Sequence, residues 1–394
     1  MSKQLKILLP LLFALAVALG LLQYHQNLFG SKTTISHFAG QSADSLEGYY
    51  QKSQALSQSQ KQNQAATFLA AGDIMLSRNV AVAIQTDCQV EKTCLNLPFL
   101  GMADILKSTN FNFANLESPI APKQPIVGGH TMVFAAPKNY LQGLKDYNFG
   151  ILNLANNHSF DQGLAGIDAT KKALDDLGIS HEGTGDNLDE AWMPAVVTAN
   201  NIKICFVGAS YASANDGGKT TNNYVARMED VVHLKSAIIQ ARLECDFVVV
   251  TMHGGIEYTR TPNKTQTNFA HAAIDDGADI IIGAHPHWVQ TIEKYNGRWI
   301  FYSLGNFIFD QNFSVDTKEG LTLKVTISKN VAQAPGLPNG AGQGPALQGP
   351  QTPAQLQSIE LLPVVIDNSQ PRPATAEETK KILQKIGKTE TILK

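Results

Sequence analysis

Over 394 residues, 43% apolar and 16% charged, the chain carries enough apolar surface for one large core or two smaller ones. A net charge of −3 and the lack of any Lys/Arg stripe interleaved with aromatics exclude nucleic acid as a partner. The composition is that of an ordinary globular α/β protein.

Residues 5–22, LKILLPLLFALAVALGLL, form an apolar run whose single charge is Lys6 at its edge. Eighteen residues are just enough to cross a bilayer as a transmembrane helix. Lys3 and Lys6 on the amino side predict a cytoplasmic N-terminus, with everything after Leu22 outside the cell membrane. A cleavable signal peptide is the alternative, because ALAVA offers small residues. They lie inside the apolar run rather than after it, which favours an uncleaved single-pass anchor. Residues 23–66 read as a low-complexity spacer, richest in Gln, Ser and Lys at QKSQALSQSQKQNQAA.

From Thr67 the texture changes. TFLAAGD, FNFANLE, FGILNLANNH, IKICFVGAS, DFVVVTMHGG and ADIIIGAHPH are strand candidates. Between them FLGMADILKST, PKNYLQGLKDY, GLAGIDATKKALDDLG, DVVHLKSAIIQARLE and TQTNFAHAAIDDG place apolar residues at spacings of three and four, the helical period. This alternation predicts a layered α/β domain over 67–366. After His287 the rhythm is β alone, in WVQTIEKYN, WIFYSLGNFIF, GLTLKVTIS and LQSIELLPVVID, with an Asn-Gly hairpin at Asn296–Gly297. Residues 334–355, rich in Pro, Gly, Gln and Ala, have little to bury and are expected to be a disordered insertion. The tail 367–394 should hold one short helix, from Thr375 to about Gly387.

Cys88 and Cys94 share a polar loop with five residues between them, which outside the cytoplasm suits a small disulfide. A zinc site is the weaker alternative, since no CxxC occurs. Cys205 and Cys245 lie in or beside apolar strands, where cysteine is expected to act as a small hydrophobe with no chemistry.

Almost every strand candidate ends in a side chain able to bind a metal: Asp73, Glu117, Asn157 with His158, His253, and His285 with His287. In layered α/β sheets the carboxyl ends of strands face the ligand crevice. Taken alone, Asp73 or Asn157 reads as a turn former or helix cap. His181, His233 and His271 are set aside as surface or helix residues, and His130 is a candidate to overhang a pocket. Their convergence from five segments is what points to a site. Carboxylate, amide and imidazole without thiolate suit one or two divalent ions of Zn, Mn or Fe, the arrangement used for displacement at phosphorus.

The ordered set GD, NLE, ANNH, MHGGIEY, GAHPH and YSLGNFIFD resembles the CapA family of capsule and poly-γ-glutamate biosynthesis proteins, which is similar to the calcineurin-like metallophosphoesterases. The resemblance covers about residues 67 to 310, continues more weakly to 366, and implies a β-sandwich flanked by helices. It implies Asp73 on a first metal, Glu117 bridging, Asn157 and His253 on a second, and His285 and His287 divided between them. His158 is then not a ligand but a catalytic acid or phosphate contact. Glu257, Tyr258 and Asn306 come from segments it places near the crevice, as secondary substrate-site candidates. Two departures stand out: Met75 occupies the place where these phosphoesterases usually carry a histidine, and Glu117 stands where they usually carry aspartate. The expectation is a membrane-anchored hydrolase of phosphoester or amide bonds, acting on a cell-surface polymer or its precursor. The alternative is a non-catalytic component, stabilised by metal, partnering a membrane-bound polymer synthase.

Overall fold

The computed structural model describes residues 64–88, 94–123, 132–213, 222–329 and 353–394. The anchor 5–22, the spacer up to residue 63, His130, and the insertion 334–355 except its last three residues lie outside the described residues. Among the described residues no helix is long and apolar enough to cross a membrane.

Fifteen strands are described, and five helices of ten residues or more. In chain order they are β1 (Gln64–Ile74), α1 (Arg78–Asp87), β2 (Phe111–Leu116), β3 (Phe149–Asn153), α2 (Gly163–Leu177), β4 (Ser180–Glu182), β5 (Ala195–Ala199), β6 (Ile202–Ser210), α3 (Val231–Glu244), β7 (Phe247–His253), α4 (Lys264–Asp275), β8 (Ile280–Ala284), β9 (Ile292–Tyr295), β10 (Arg298–Phe301), β11 (Asn306–Ile308), β12 (Glu319–Lys329), β13 (Gln355–Asp367), β14 (Gln370–Pro373), α5 (Ala376–Lys385) and β15 (Ile392–Leu393). One sheet runs β14-β13-β12-β1-β2-β3-β4, with β11 beside β1 and β15 beside β13; the other runs β5-β6-β7-β8-β10-β9. The strands β1 to β4 are parallel neighbours, as are β6, β7, β8 and β10.

Period-two alternation sorts the side chains into layers. Phe68 and Ala70 of β1, Phe111 and Phe113 of β2, and Phe247 and Val249 of β7 meet in one core between the sheets. The intervening Leu69 and Ala71 face α1 and α2, whose Ile84 and Leu174 complete a second core. Val248 and Val250 face α3 and α4 in a third. The result is helix, sheet, sheet, helix: the layered α/β arrangement that the strand and helix periods lead one to expect, in the form of the helix-flanked sandwich that the family resemblance implies.

Four local readings are corrected. Residues 149–158 are not strand to the end; β3 stops at Asn153, whose Oδ1 accepts the Ala155 N–H and turns the backbone out of the sheet. The helical reading of 99–109 gives way to 3₁₀ turns over Cys94–Met102 and one α-turn, Ala103–Leu106, in a stretch carrying Pro98. The run 299–309 is two strands in different sheets, because Tyr302–Gly305 carries the chain from β10 across to β11 beside β1. Finally, Cys205 and Cys245 form a disulfide from β6 to the C-terminal end of α3, in addition to the expected Cys88–Cys94 bond.

The tail is held more firmly than a lone helix. Thr375 and Glu378 form a reciprocal capping box at the start of α5, and β14 and β15 both pair with β13.

Candidate metal centre

Asp73, next to last in β1, stands at a crossing of great tightness. A β-carbon on Gly72 would lie 1.9 Å from the Gly305 carbonyl oxygen, so only glycine lets β1 and the entry to β11 approach this closely. The Asp73 N–H then donates to Gly305 O at 3.1 Å. Glu117 follows β2 directly and donates its N–H to Ile74 O at 2.8 Å, which sets it beside Asp73. From the other sheet, β7 ends on His253 and β8 on Ala284, after which His285-Pro286-His287 turn sharply. His285 and His287 both have left-handed backbones, φ +97° and +59°. Such conformations cost of order 1–3 kcal/mol each and collect at functional sites.

These residues are brought together in two overlapping trios. Ligating atoms of Glu117, His253 and His285 lie within 4.8 Å of one another, as do those of Asp73, Glu117 and His287. Glu117 belongs to both. Asn157 joins the first trio, its Oδ1 standing 2.7 Å from His253 Nε2. Met75 contributes nothing to either; it is fully buried in the core, and its Sδ accepts the Ser77 N–H.

The electrostatics are those of charges removed from water. Burial pushes the Asp73 carboxyl up to about 7, against hydrogen bonds from Asn115 and the His285 N–H that favour its ionised form. Burial and the neighbouring Asp73 raise Glu117 well above the usual range. Burial holds His253 well below its ordinary value, His285 down to about 3 and His287 down to about 4. Neutral imidazoles are the form that can ligate. Neither oxygen of Glu117 accepts a hydrogen bond, and the Nδ1 atoms of His253 and His285 are buried without a partner. Buried polar atoms are rarely left so. Carboxylate oxygens and imidazole nitrogens buried together without hydrogen-bond partners fit a divalent cation.

His287 is oriented from behind. Asn306 Nδ2 donates to Thr317 O at 2.9 Å, which leaves its Oδ1 to accept from His287 Nδ1 at 2.8 Å. Asn306 Nδ2 also reaches Gln311, whose Nε2 donates to the Tyr258 hydroxyl. Two secondary candidates are thus linked in one chain of hydrogen bonds. Burial, with help from Glu257, pushes the Tyr258 hydroxyl up to about 12, so it stays protonated. Glu257 itself is exposed at the mouth. His158 stands apart from both trios: Nε2 is 3.8 Å from Glu117 Oε1, while Nδ1 is 2.7 Å from Asp161 Oδ2. Its ring stacks on Phe134 at 3.8 Å between centroids.

Reading by strand ends missed three residues of the site. Asn115 points inward from within β2 and donates to Asp73; Asp161 lies three residues past His158; Arg78 opens α1. Asp161 had a usable signal, since a carboxylate three residues after a candidate acid can hold it through a single turn. Arg78, His158, His287, Tyr258 and Phe309 line one cavity of about 360 Å³ above the trios.

The sequence profile of the family described as bacterial capsule synthesis protein PGA_cap matches residues 67–311. The capsule biosynthesis protein CapA of Bacillus anthracis is 29% identical over 280 residues, covering 68% of this chain and 66% of that protein. The PGA biosynthesis protein CapA of Bacillus subtilis (strain 168) is 31% identical over 261 residues, covering 66% of this chain and 67% of that one. The chain therefore matches about two thirds of each relative's length. Among solved structures, the calcineurin-like phosphoesterase YfkN from Bacillus subtilis superposes with a TM-score of 0.41 at 13% identity, covering 82% of this chain and 97% of that one.

Proposed function

The chain belongs to the bacterial capsule synthesis protein PGA_cap family, and from that premise we propose that it serves the making of a capsule or poly-γ-glutamate type surface polymer as a metal-dependent phosphoester hydrolase. The names of its Bacillus relatives support the polymer, and one observation supports the chemistry: buried Glu117 stands in both trios with neither oxygen hydrogen-bonded. Asp73 and His287 on one side, and Asn157, His253 and His285 on the other, would hold one or two divalent ions with Glu117 between them. Bound there, the ions supply positive charge that polarises the phosphoryl group.

The protein's own side chains do the rest. His158 donates from Nδ1 to Asp161, and that carboxylate holds the ring with Nε2 turned to the site. The proton on Nε2 then faces the site and passes to the leaving oxygen. Stacking on Phe134 fixes the ring plane, so the proton needs no search for its target. Tyr258 lines the same cavity, and Asn306 holds His287 from behind.

The test is His158→Ala in purified protein loaded with Mn or Zn. Metal content should stay at the wild-type level, while hydrolysis of an activated phosphoester falls by a factor of roughly 10² or more. Metal and activity falling together would make His158 a ligand. No hydrolysis by wild type above buffer would turn the reading to a non-catalytic component alongside a membrane-bound synthase, which Met75's withdrawal into the core favours. We place the catalytic domain outside the cell membrane on an N-terminal anchor. A reporter fused after Lys394 that is active in the cytoplasm would overturn that placement.

A further inference from the structure

We propose that Arg78 is the residue that recognises the substrate's anionic group, and that the group it takes is a phosphoryl oxyanion beside the trios. The inference rests on the hydrolase reading only for where that oxyanion sits. Arg78 lies against two aromatic rings. Its guanidinium carbon is 4.8 Å from the centroid of the Phe134 ring and 5.6 Å from that of Phe309. Phe134 also stacks against His158, and Phe309 packs on His287 at 4.9 Å. The candidate acid, the guanidinium and a candidate ligand are therefore held by two shared rings.

The guanidinium is fixed but not satisfied. Nη2 pairs with Asp310, a carboxylate only 3% exposed that also accepts the Asn79 N–H. Nε is buried without a partner, and Nη1 makes no hydrogen bond among the described residues. The unpaired, buried Nε is a donor that a purely structural arginine would be expected to use, because a stranded buried donor costs stability. The side chain instead lines the cavity shared with His158 and His287. A planar fork with one edge anchored and another open matches two oxygens of a phosphoryl group, a geometry that lysine cannot offer. Arg78 also has a left-handed backbone, φ +47°, at the head of α1, where the N-cap Ser77 makes no side-chain cap.

The experiment is calorimetric titration of Mn-loaded protein with inorganic phosphate, and with free glutamate as the carboxylate control. Arg78→Gln combined with Asp310→Asn removes the pair without stranding a buried charge. Arg78→Lys keeps the charge and loses the fork. Both should hold Mn at the wild-type stoichiometry; the double variant should bind phosphate at least tenfold more weakly, with Arg78→Lys in between. Four results overturn the proposal: wild type that binds no phosphate, a double variant within twofold of wild type, phosphate affinity lost only together with Mn in both variants, or dependence on Arg78 for glutamate but not phosphate. The hydrolase reading is judged separately. Phosphate bound through Arg78 by a protein that hydrolyses no phosphoester keeps this assignment and removes the enzyme. Hydrolysis with unchanged KM in the double variant does the reverse.

Discussion

Replacing Gly72 by alanine should damage the fold and the candidate metal centre together. The added carbon would stand 1.9 Å from Gly305 O and 2.9 Å from Gly305 C, both backbone atoms that no rotamer change can move. Ordinary contact begins near 3.4 Å, so β1 and the entry to β11 must part by about 1.5 Å. That breaks the Asp73 N–H to Gly305 O bond and pulls Asp73 from Asn115 and the His285 N–H. It also disturbs Asn306, which pairs with Asp73 in register and orients His287. Overpacking together with one lost buried hydrogen bond amounts to about 2–4 kcal/mol. Misplaced support of this kind weakens metal binding by about tenfold to a hundredfold. Urea unfolding and Mn titration measure both. Gly150→Ala in β3 is the control, since its new carbon comes no nearer than 3.0 Å to its closest neighbour, the Phe111 β-carbon, so the strands need shift by only a few tenths of an ångström and the cost should fall well below that of Gly72→Ala. A Gly72→Ala protein matching wild type in unfolding midpoint and Mn affinity would refute the reasoning.

Glu117→Gln should lower Mn binding at both positions whereas Asp73→Asn lowers it at one; stoichiometry by elemental analysis decides, and an equal loss from the two variants would sink the shared-carboxylate assignment. Removing Cys205 and Cys245 together by alanine opens a link across 40 residues and should cost about 4 kcal/mol in denaturant unfolding, against about 2 kcal/mol for the Cys88–Cys94 link across 6; the opposite order would contradict the loop-closure account. Burial raises Glu182 from 4.5 to about 8, opposed by the Thr251 hydroxyl. A folded value above the unfolded one means its stabilising effect is full below about 4.5 and disappears as pH rises through about 8. Wild type should therefore lose ground to Glu182→Gln in urea midpoint between pH 5 and pH 9, and a constant gap across that range would count against it.

The layers were legible because strand and helix announce themselves by period: Phe68 and Ala70 face one way and Leu69 and Ala71 the other, in β1 as in any half-buried strand. The gathering of Asp73, Glu117, His253, His285 and His287 was legible because each stands at or just past a strand's carboxyl end. What sequence hid was contact between distant segments. Cys205 and Cys245 look like two unrelated core residues until α3 brings the chain back past β6. The passage of WIFYSLGNFIF from one sheet to the other depends on Gly305 approaching Gly72, an event more than 200 positions apart in the chain. Arg78 sits at a helix start, where arginine carries no signal, and its meaning comes only from Phe134 and Phe309 closing on it.

The left-handed backbones of His285 and His287 bear on how this chain would respond to directed evolution. At φ +97° and +59° glycine is the residue of least strain, with asparagine next. A library selected for thermal resistance alone should drift to glycine at both positions and lose the imidazoles on the way. Selected for the protein's biological task, the same library should keep them, and the divergence between the two populations at these codons would measure how far stability and task pull apart in this fold.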